Sequence, residues 1–230
     1  MSPLNKQKGN MYPWVDRTHN FIRGECPHKC KYCYVPSSRV AKLYTGKPHL
    51  VESAFKPLGK GKTIFVGSMI DMWAEEIPTG WIKKVLVHCD RFDNTYLFQT
   101  KNPNRIFLNG FDFPKKFIVG TTIETNRDLS KISNAPPTKN RFCSMTWVKY
   151  CWSRAKTMIS VEPILDCDVQ EMKYWIRSIK PDFVSIGADS KGHNLPEPSP
   201  EKVRELIKGL EKFTEVKIKS NLKRLMKGER

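Results

Sequence analysis

The stretch "FIVGTTIE", residues 117–124, is short and alternating, with three β-branched apolar residues, as is typical of a β-strand covered on one face. Successive side chains of a strand point to opposite faces, so Val119 and Ile123 share one face while Thr122 and Glu124 share the other. The apolar face has to pack against another layer, whereas the polar face needs hydrogen-bonding partners or a ligand. The stretch therefore predicts a strand with helices on one side and a polar site on the other.

Six other segments have the same strand character, and most of them are followed by residues with a helical period. The six are "HNFIRG" (19–24), "TIFVGS" (63–68), "TYLFQT" (95–100), "TMISVEP" (157–163), "DFVSIGA" (182–188) and "EVKIKS" (215–220). Strands that alternate with helices form βα units and a parallel sheet, which is either an open doubly wound sheet or a full or partial barrel. Both architectures place their sites at the carboxyl ends of the strands.

Three of the intervening helices have recognisable start signals. Residues 79–91 place apolar side chains at i, i+3, i+4 and i+7, with Thr79 as the expected N-cap. Asp168 and Glu171 form a capping pair before a second helix, and Ser199 followed by a proline opens a third. These signals support the alternation of strands and helices.

Polar side chains share one face on the later strands as well. Ser160 and Glu162 oppose the apolar residues of the fifth strand segment, and Asp189 and Lys219 continue the polar faces of the last two segments. We therefore expect polar groups to gather on the inner face of the sheet, towards the carboxyl ends of the strands.

Composition narrows the class of protein. The chain of 230 residues has 40 Lys and Arg against 23 Asp and Glu, a net charge of +17, which favours a polyanionic partner. No apolar run approaches the roughly 20 residues needed to span a bilayer, and no export signal opens the sequence. We expect a soluble, cytoplasmic protein with one domain over residues 1–230, a core over about 15–190 and a basic region over about 200–230.

The loop after the first predicted strand, "GECPHKCKYCYVP" (24–36), is the clearest chemical signal. Its three cysteines fall within eight residues and should share one metal centre; they are Cys26, Cys30 and Cys33. Zinc would need a fourth ligand such as His28 or His49, but His28 lies inside the cysteine spacing and no second C-x2-C pair occurs. A [4Fe-4S] cluster takes one ligand per iron, so three thiolates leave one iron open.

This C-x3-C-x2-C spacing, with an aromatic residue before the last cysteine, resembles the signature of the radical S-adenosylmethionine (SAM) superfamily. The resemblance implies a partial (β/α)6 TIM-like barrel, which agrees with the strand series from residue 19 to about 189. It also implies two cofactors, a [4Fe-4S] cluster on the three cysteines and SAM chelated at the open iron. Reductive cleavage of SAM would then yield methionine and a 5′-deoxyadenosyl radical that abstracts a hydrogen atom from the substrate.

The resemblance further implies which residues contact SAM at the first two strands. Tyr32 matches the aromatic position whose backbone lies near the adenine. The second strand ends in "VGSMID" (66–71), where the superfamily usually has a Gly-Gly-Glu stretch for the SAM amino group. Gly67 still allows the backbone to approach SAM closely. Ser68 and Asp71 are then the residues expected to make the polar contacts to the SAM amino group.

At later strands, Thr122 and Glu124 match the region that holds the ribose hydroxyls, and Glu162 follows on the next strand. A carboxylate suits a vicinal diol. The alternative for each of these residues is a hydrogen bond of structural value at the barrel mouth.

Substrate contacts are expected from polar residues without a SAM role. Gln99, Lys101 and Lys219 would hold an anionic substrate, and Asp189 would hold its hydroxyl or amide groups. Lys101 is the first choice for a catalytic role, although a salt bridge to a neighbouring glutamate explains it equally well. Cys167 follows the fifth strand and is a second catalytic candidate, as a hydrogen-atom donor, with packing as its alternative.

The remaining cysteines, Cys89, Cys143 and Cys151, lie on predicted helices and are expected to be buried thiols. Their number gives no support for disulfides, because seven cysteines in all is an odd count in a chain without an export signal.

Within the superfamily, the segments "FVGSMIDMW" (65–73), "FQTKNPNRI" (98–106) and "SVEPIL" (160–165) resemble a phage-associated group in their order and composition. This group is similar to spore photoproduct lyases, which repair a thymine lesion in DNA. Together with the charge, this resemblance favours a nucleic acid or nucleotide as the substrate and a reductase such as flavodoxin or ferredoxin as the electron donor.

Two other classes of function stay open at this point. An activase that generates a radical on a protein partner has the same cysteine spacing, and Trp147 and Trp152 would then form a docking face. A non-enzymatic metal-binding protein that binds nucleic acid would need only the cysteine loop and the basic surface, which leaves the polar inner face without a purpose.

Overall fold

The computed structural model describes residues 4–6, 11–152 and 155–227. Over these residues an eight-stranded sheet has the order β1-β2-β5-β6-β7-β8-β9-β10, and a two-stranded ribbon pairs β3 with β4. The strands are β1 (Asn5–Lys6), β2 (Arg17–His19), β3 (Ile22–Arg23), β4 (His49–Leu50), β5 (Thr63–Val66), β6 (Thr95–Thr100), β7 (Phe117–Thr122), β8 (Lys156–Val161), β9 (Phe183–Ile186) and β10 (Glu215–Ile218). The strands from β2 to β10 in this sheet are parallel, and β1 is antiparallel to β2.

Helices connect the successive parallel strands from β5 to β10, and one more helix follows β10. They are α1 (Thr79–Asp90), α2 (Pro103–Leu108), α3 (Thr138–Cys151), α4 (Val169–Ile179), α5 (Pro200–Leu210) and α6 (Lys223–Lys227), with short 3-10 turns at Val35–Ser37, Ala41–Tyr44, Glu52–Ala54 and Ser220–Leu222. The predicted parallel sheet of βα units is therefore confirmed. The described sheet ends at β1 and β10 without pairing these two strands, so the barrel is partial.

Two local expectations were wrong. The predicted strand 19–24 is divided: the sheet strand ends at His19, and Ile22 pairs with Leu50 in the separate ribbon. The chain leaves the sheet at Asn20, whose side-chain carbonyl accepts a hydrogen bond from the Met69 N–H at 3.0 Å. The N-cap of α1 is Pro78 rather than Thr79.

The other two helix starts follow their sequence signals. The Asp168 carboxylate accepts the Glu171 N–H at 2.8 Å, and the Ser199 hydroxyl accepts the Lys202 N–H at 3.4 Å. Each side chain satisfies a backbone donor that has no partner inside its own helix.

The barrel interior has an apolar layer near the amino ends of the strands. Five inward side chains form it, namely Phe65, Leu97, Ile118, Met158 and Phe183, and Tyr12 and Val15 pack against them from the N-terminal segment. A second and larger apolar cluster lies between the sheet and the helices, where Val119, Ile159 and Val184 meet Val85, Met172 and Ile176. The interior therefore changes from apolar to polar along the strands, because their polar residues lie nearer the carboxyl ends.

None of the helices in the described ranges has the length and the apolar character that crossing a membrane requires.

Candidate functional site

A cavity of about 570 Å³ opens at the carboxyl ends of the parallel strands, a size that suits a small-molecule ligand. Most of the predicted site residues line it: Cys26, Cys30, Tyr32, Cys33, Gly67, Ser68, Asp71, Gln99, Lys101, Thr122, Glu162, Asp189 and Lys219. Glu124 and Cys167 are not among the lining residues. The carboxyl ends of the strands therefore bring together residues that are far apart in the sequence.

The cysteine loop connects β3 to β4 and is shaped by tight turns. The Lys29 N–H donates to the Cys26 carbonyl at 3.2 Å, and the Cys33 N–H donates to the Cys30 carbonyl at 3.0 Å. The loop begins at Gly24, where φ is +105° and an added Cβ would lie 2.5 Å from the Lys47 carbonyl oxygen. Only glycine fits there. These turns bring all three thiols to the wall of the cavity.

Two thiols of this loop, those of Cys26 and Cys33, are poor nucleophiles in the absence of a metal. Burial raises the pKa of Cys26 to about 12 and raises the pKa of Cys33 above its usual value. A thiol of this kind keeps its proton at neutral pH unless a metal displaces it. All seven cysteines lie in the described ranges and are free thiols.

The arrangement does not favour a single zinc ion. The His28 ring faces Asp71, and the exposed His49 ring lies 3.2 Å from the Lys47 carbonyl. No group of three His, Cys, Asp or Glu side chains in the described part of the chain converges on one ion. The three cysteines together line one cavity, which fits a cluster that takes one thiolate per iron.

Asp71 ties the cysteine loop to the sheet. Its Oδ2 accepts hydrogen bonds from His28 Nε2 at 2.9 Å, from the Thr100 hydroxyl at 3.0 Å and from the Lys101 N–H at 2.7 Å. Its Oδ1 accepts the Trp73 N–H at 3.0 Å. Burial alone would raise the pKa of Asp71, but His28 and these hydrogen bonds hold it below its usual value. The carboxylate is therefore ionised and already holds four protein donors.

Glu124 lies beneath the cavity wall, in a buried ion pair. Arg141 Nη1 is 2.8 Å from Glu124 Oε2, both side chains are fully buried, and the Tyr32 hydroxyl donates to Oε1. Burial alone would raise the pKa of Glu124, but Arg141 and Lys101 hold it below its usual value. Of the two residues predicted to contact the ribose, Thr122 lines the cavity and Glu124 does not.

Lys101 connects this ion pair to the cavity. Its Nζ lies 4.0 Å from Glu124 Oε1 and 5.4 Å from the centre of the Tyr32 ring. Burial would lower the pKa of Lys101, but Cys30 and Glu124 hold it above its usual value. A cation is thus held beside the cysteine loop.

Tyr12 joins the apolar layer to the polar cavity. Its hydroxyl lies 2.9 Å from Gln99 Oε1 and 2.9 Å from Ser160 Oγ. Gln99 Nε2 then donates to the Thr122 hydroxyl at 3.1 Å. A chain of hydrogen bonds therefore forms the deep end of the cavity.

The C-terminal region also contributes to the cavity. Lys219, directly after β10, pairs with Glu162 at 2.7 Å and lies 4.7 Å from the centre of the Tyr12 ring. Asp189 is held within its own loop, because its carboxylate accepts both the backbone N–H and the Nδ1 of His193.

Several other expectations concern residues outside the cavity. Cys89 is buried, as predicted, but Cys143 and Cys151 are exposed, so the prediction of buried thiols was wrong for these two. They lie on α3, whose buried face is carried by other residues: Arg141, Met145 and Val148. Cys167 is 1% exposed and lies in the loop before α4.

The two tryptophans proposed for a docking face differ. Trp147 is 54% exposed, whereas Trp152 is half-buried and packs edge-on against Phe113 at 5.1 Å. Only Trp147 is available for such a face.

Sequence reasoning missed three residues that shape the site. Tyr12 comes from a segment with no strand or helix pattern, Arg141 lies inside a helix, and Ser133 lies in a loop that touches Cys30. A buried arginine needs an acidic partner. A prediction that Arg141 lies on the buried face of α3 would therefore have indicated an ion pair.

The fold and the cavity define the class of architecture: a partial β/α barrel with three cysteines in the connection between β2 and β5. No protein-family model matches the chain, and no curated protein matches it.

Among solved structures, a mutant of spore photoproduct lyase with dinucleoside spore photoproduct has a TM-score of 0.65 at 12% identity, over 92% of this chain and 78% of that one. SuiB of Streptococcus suis bound to S-adenosylmethionine has a TM-score of 0.52 at 11% identity, over 90% of this chain and 50% of that one. Both are radical SAM enzymes. At these identities the likeness establishes the fold, and the predicted partial barrel of the radical SAM type is confirmed.

Proposed function

We propose that this chain is a radical SAM enzyme that uses a [4Fe-4S] cluster and S-adenosylmethionine. The observation that carries the proposal is the position of the three cysteines, all of which line one cavity at the mouth of a partial barrel. The likeness to two radical SAM structures, one of them bound to S-adenosylmethionine, supports it.

In this proposal Cys26, Cys30 and Cys33 hold the cluster, and other residues that line the same cavity bind SAM. These residues are Tyr32, Gly67, Ser68, Thr122 and Glu162. Gly67 lines the cavity in a turn that favours glycine, because its φ is +79° and an added Cβ would lie 3.2 Å from the Ile70 carbonyl oxygen. When bound, the cluster and SAM together supply a 5′-deoxyadenosyl radical through one-electron reductive cleavage.

The remaining polar residues of the cavity orient the substrate. Lys101 and Lys219 supply positive charge, and Gln99, fixed by Tyr12, presents an amide. The apolar layer beneath them closes the barrel against water, which protects a reactive radical. Asp71 and Glu124, whose oxygens hold protein donors, act as positioning residues.

The substrate proposed is a nucleic acid or nucleotide. Net charge of +17 supports a polyanion, and the lyase structure contains a dinucleoside lesion. The order of the sequence motifs supports membership of the phage-associated group. The proposed electron donor is a reductase such as flavodoxin or ferredoxin, and the proposed compartment is the cytoplasm. A peptide substrate is the second candidate, because SuiB is also seen bound to a precursor peptide and Trp147 is exposed here.

The test of the cofactors uses anaerobically reconstituted protein. We expect iron and sulfide near four each per chain and, after reduction with added SAM, release of 5′-deoxyadenosine detected by mass spectrometry. Cys30→Ala should lose most of the iron and all of the product. Cys143→Ala is the matched control, since this cysteine is exposed on α3, and it should behave as the unmodified protein. Zinc without sulfide in the unmodified protein would contradict the proposal.

The test of the substrate class compares binding partners. Affinity for single-stranded DNA or RNA should fall as salt rises, with a slope of log K against log salt of several units. Incubation of the reduced protein with labelled SAM and each polymer, followed by mass analysis, would identify the modified one. Modification of a peptide alone would favour the second candidate.

A further inference from the structure

The loop after β7 packs directly on the cysteine loop. Two backbone hydrogen bonds join them: the Lys31 N–H donates to the Ile132 carbonyl at 2.9 Å, and the Asn134 N–H donates to the His28 carbonyl at 2.8 Å. The two loops are therefore fixed relative to each other on either side of Cys30. Ser133 lies between the two bonded residues of its loop.

The Ser133 hydroxyl has a defined set of neighbours. Its Oγ lies 3.1 Å from Cys30 Sγ and 3.3 Å from the His28 carbonyl oxygen, and it accepts the Ala135 N–H at 3.1 Å. Ser133 is 5% exposed, so water does not compete freely for the hydroxyl. One hydroxyl proton thus faces two acceptors.

Metal ligation of Cys30 decides which acceptor the hydroxyl uses, because a ligated cysteine has no thiol proton to donate. A thiol either donates or accepts, but a thiolate only accepts, and a hydrogen bond to a charged acceptor is about twice as strong as a neutral one. The His28 carbonyl keeps its bond from the Asn134 N–H when the hydroxyl turns away. Donation to the sulfur therefore leaves no backbone carbonyl unsatisfied at this point.

We propose that Ser133 donates a hydrogen bond to the Cys30 thiolate in the metal-loaded protein and so raises the reduction potential of the centre. This inference rests on the proposed function. One electron from an external reductant adds negative charge to the metal centre and its ligand sulfurs, and a donor at the sulfur stabilises the reduced form more than the oxidised one. Ser133 is thus a positioning residue that acts through Cys30.

The test is a redox titration of the reconstituted protein, followed by the EPR signal of the reduced centre. Ser133→Ala should load iron and sulfide as the unmodified protein does and titrate at a lower potential. A tenfold loss in the equilibrium constant for reduction corresponds to about 59 mV for one electron. Ser130→Ala, in the same loop with its hydroxyl on Asp128, is the matched control and should not shift the midpoint.

A second pair of variants keeps the test decisive if Ser133→Ala loads poorly. Ser133→Thr and Ser133→Val have nearly the same shape, but only threonine carries a hydroxyl. The threonine variant should titrate near the unmodified protein, and the valine variant at lower potential. Equal midpoints for loaded variants with and without the hydroxyl would overturn the inference and leave the proposed function standing. Failure of the unmodified protein to take up iron and sulfide would overturn both.

Discussion

The two ends of the barrel interior are built from the same strands but serve opposite purposes. Near the amino ends, Phe65, Leu97 and Met158 form a closed apolar layer, whereas Gln99 and Ser160, two residues further along the same strands, line or approach the cavity. A change of two positions on a strand keeps the side chain on the same face, so only the chemistry of the residue changes. The lower layer contributes stability, and the upper layer lines the cavity to which the proposed function assigns binding and reactivity.

The largest effect on stability is nevertheless expected beneath the upper layer, at the buried ion pair. Arg141→Met leaves Glu124 buried without its arginine and should lower the free energy of unfolding by about 3–5 kcal/mol. The measurement is urea-induced unfolding followed by circular dichroism.

The matched control for the ion pair removes the charge as well. Arg141→Met combined with Glu124→Gln should recover part of the lost stability, because no uncompensated charge remains. A single variant that loses less than about 1 kcal/mol would mean that Lys101, 4.0 Å from the carboxylate, replaces the arginine.

The apolar layer is tested at Leu97, which is fully buried. Leu97→Ala should lower the free energy of unfolding by about 3 kcal/mol, since it removes buried methyl groups and leaves a cavity. Leu97→Met nearly conserves volume and should lose less than about 1.5 kcal/mol. Cluster content per folded chain should stay unchanged in both variants. A loss of iron without a loss of stability would contradict the division of roles between the layers.

Tyr12 links the two layers, and its hydroxyl is the smaller contribution. Tyr12→Phe keeps the ring in the apolar layer but leaves Gln99 Oε1 and Ser160 Oγ without this partner, at a loss of about 1–2 kcal/mol. Under the proposed function it should also weaken retention of the substrate, because Gln99 then keeps only its hydrogen bond to Thr122. Tyr150→Phe, at an exposed tyrosine, should change neither quantity. Unchanged stability in both variants would show that water replaces the Tyr12 hydroxyl.

The comparison of layers also shows what the sequence could predict. Strand alternation places Thr122, Ser160 and Glu162 correctly on the inner face, because the period of two is a local property of the chain. The cysteine spacing likewise locates the loop at the cavity. Both signals need only residues that are close together in the sequence.

Long-range contacts left no such signal. Ser133 meets Cys30 across 103 positions, and Tyr12 meets Ser160 across 148. Neither residue belongs to a periodic segment, so its neighbours follow only from how the loops pack. The wrong strand boundary at His19 has the same origin. Phe21 and Ile22 have the residue types of a continuing strand, and only the long-range pairing of Ile22 with Leu50 shows that they leave the sheet.

His19 gives the smallest predicted effect and tests a titratable group in apolar surroundings. Its Nε2 donates to the Ala54 carbonyl at 2.8 Å, and its ring packs edge-on against Phe21 at 4.6 Å. Burial lowers the pKa of His19 despite this hydrogen bond. Below the ordinary imidazole pKa of about 6.5 the unfolded chain therefore binds a proton that the folded protein resists.

The free energy of unfolding should accordingly decrease as the pH falls from about 7 towards the lowered pKa of His19, with a slope of at most one proton from this residue. His19→Gln keeps an amide donor for the Ala54 carbonyl and removes the titration, so its slope over the same pH range should be smaller. Identical slopes for the two proteins, measured by urea unfolding at each pH, would mean that His19 protonates without leaving its place. The apolar surroundings would then tolerate a charge, and the distinction between the apolar and the polar regions of the molecule would be weaker than the packing indicates.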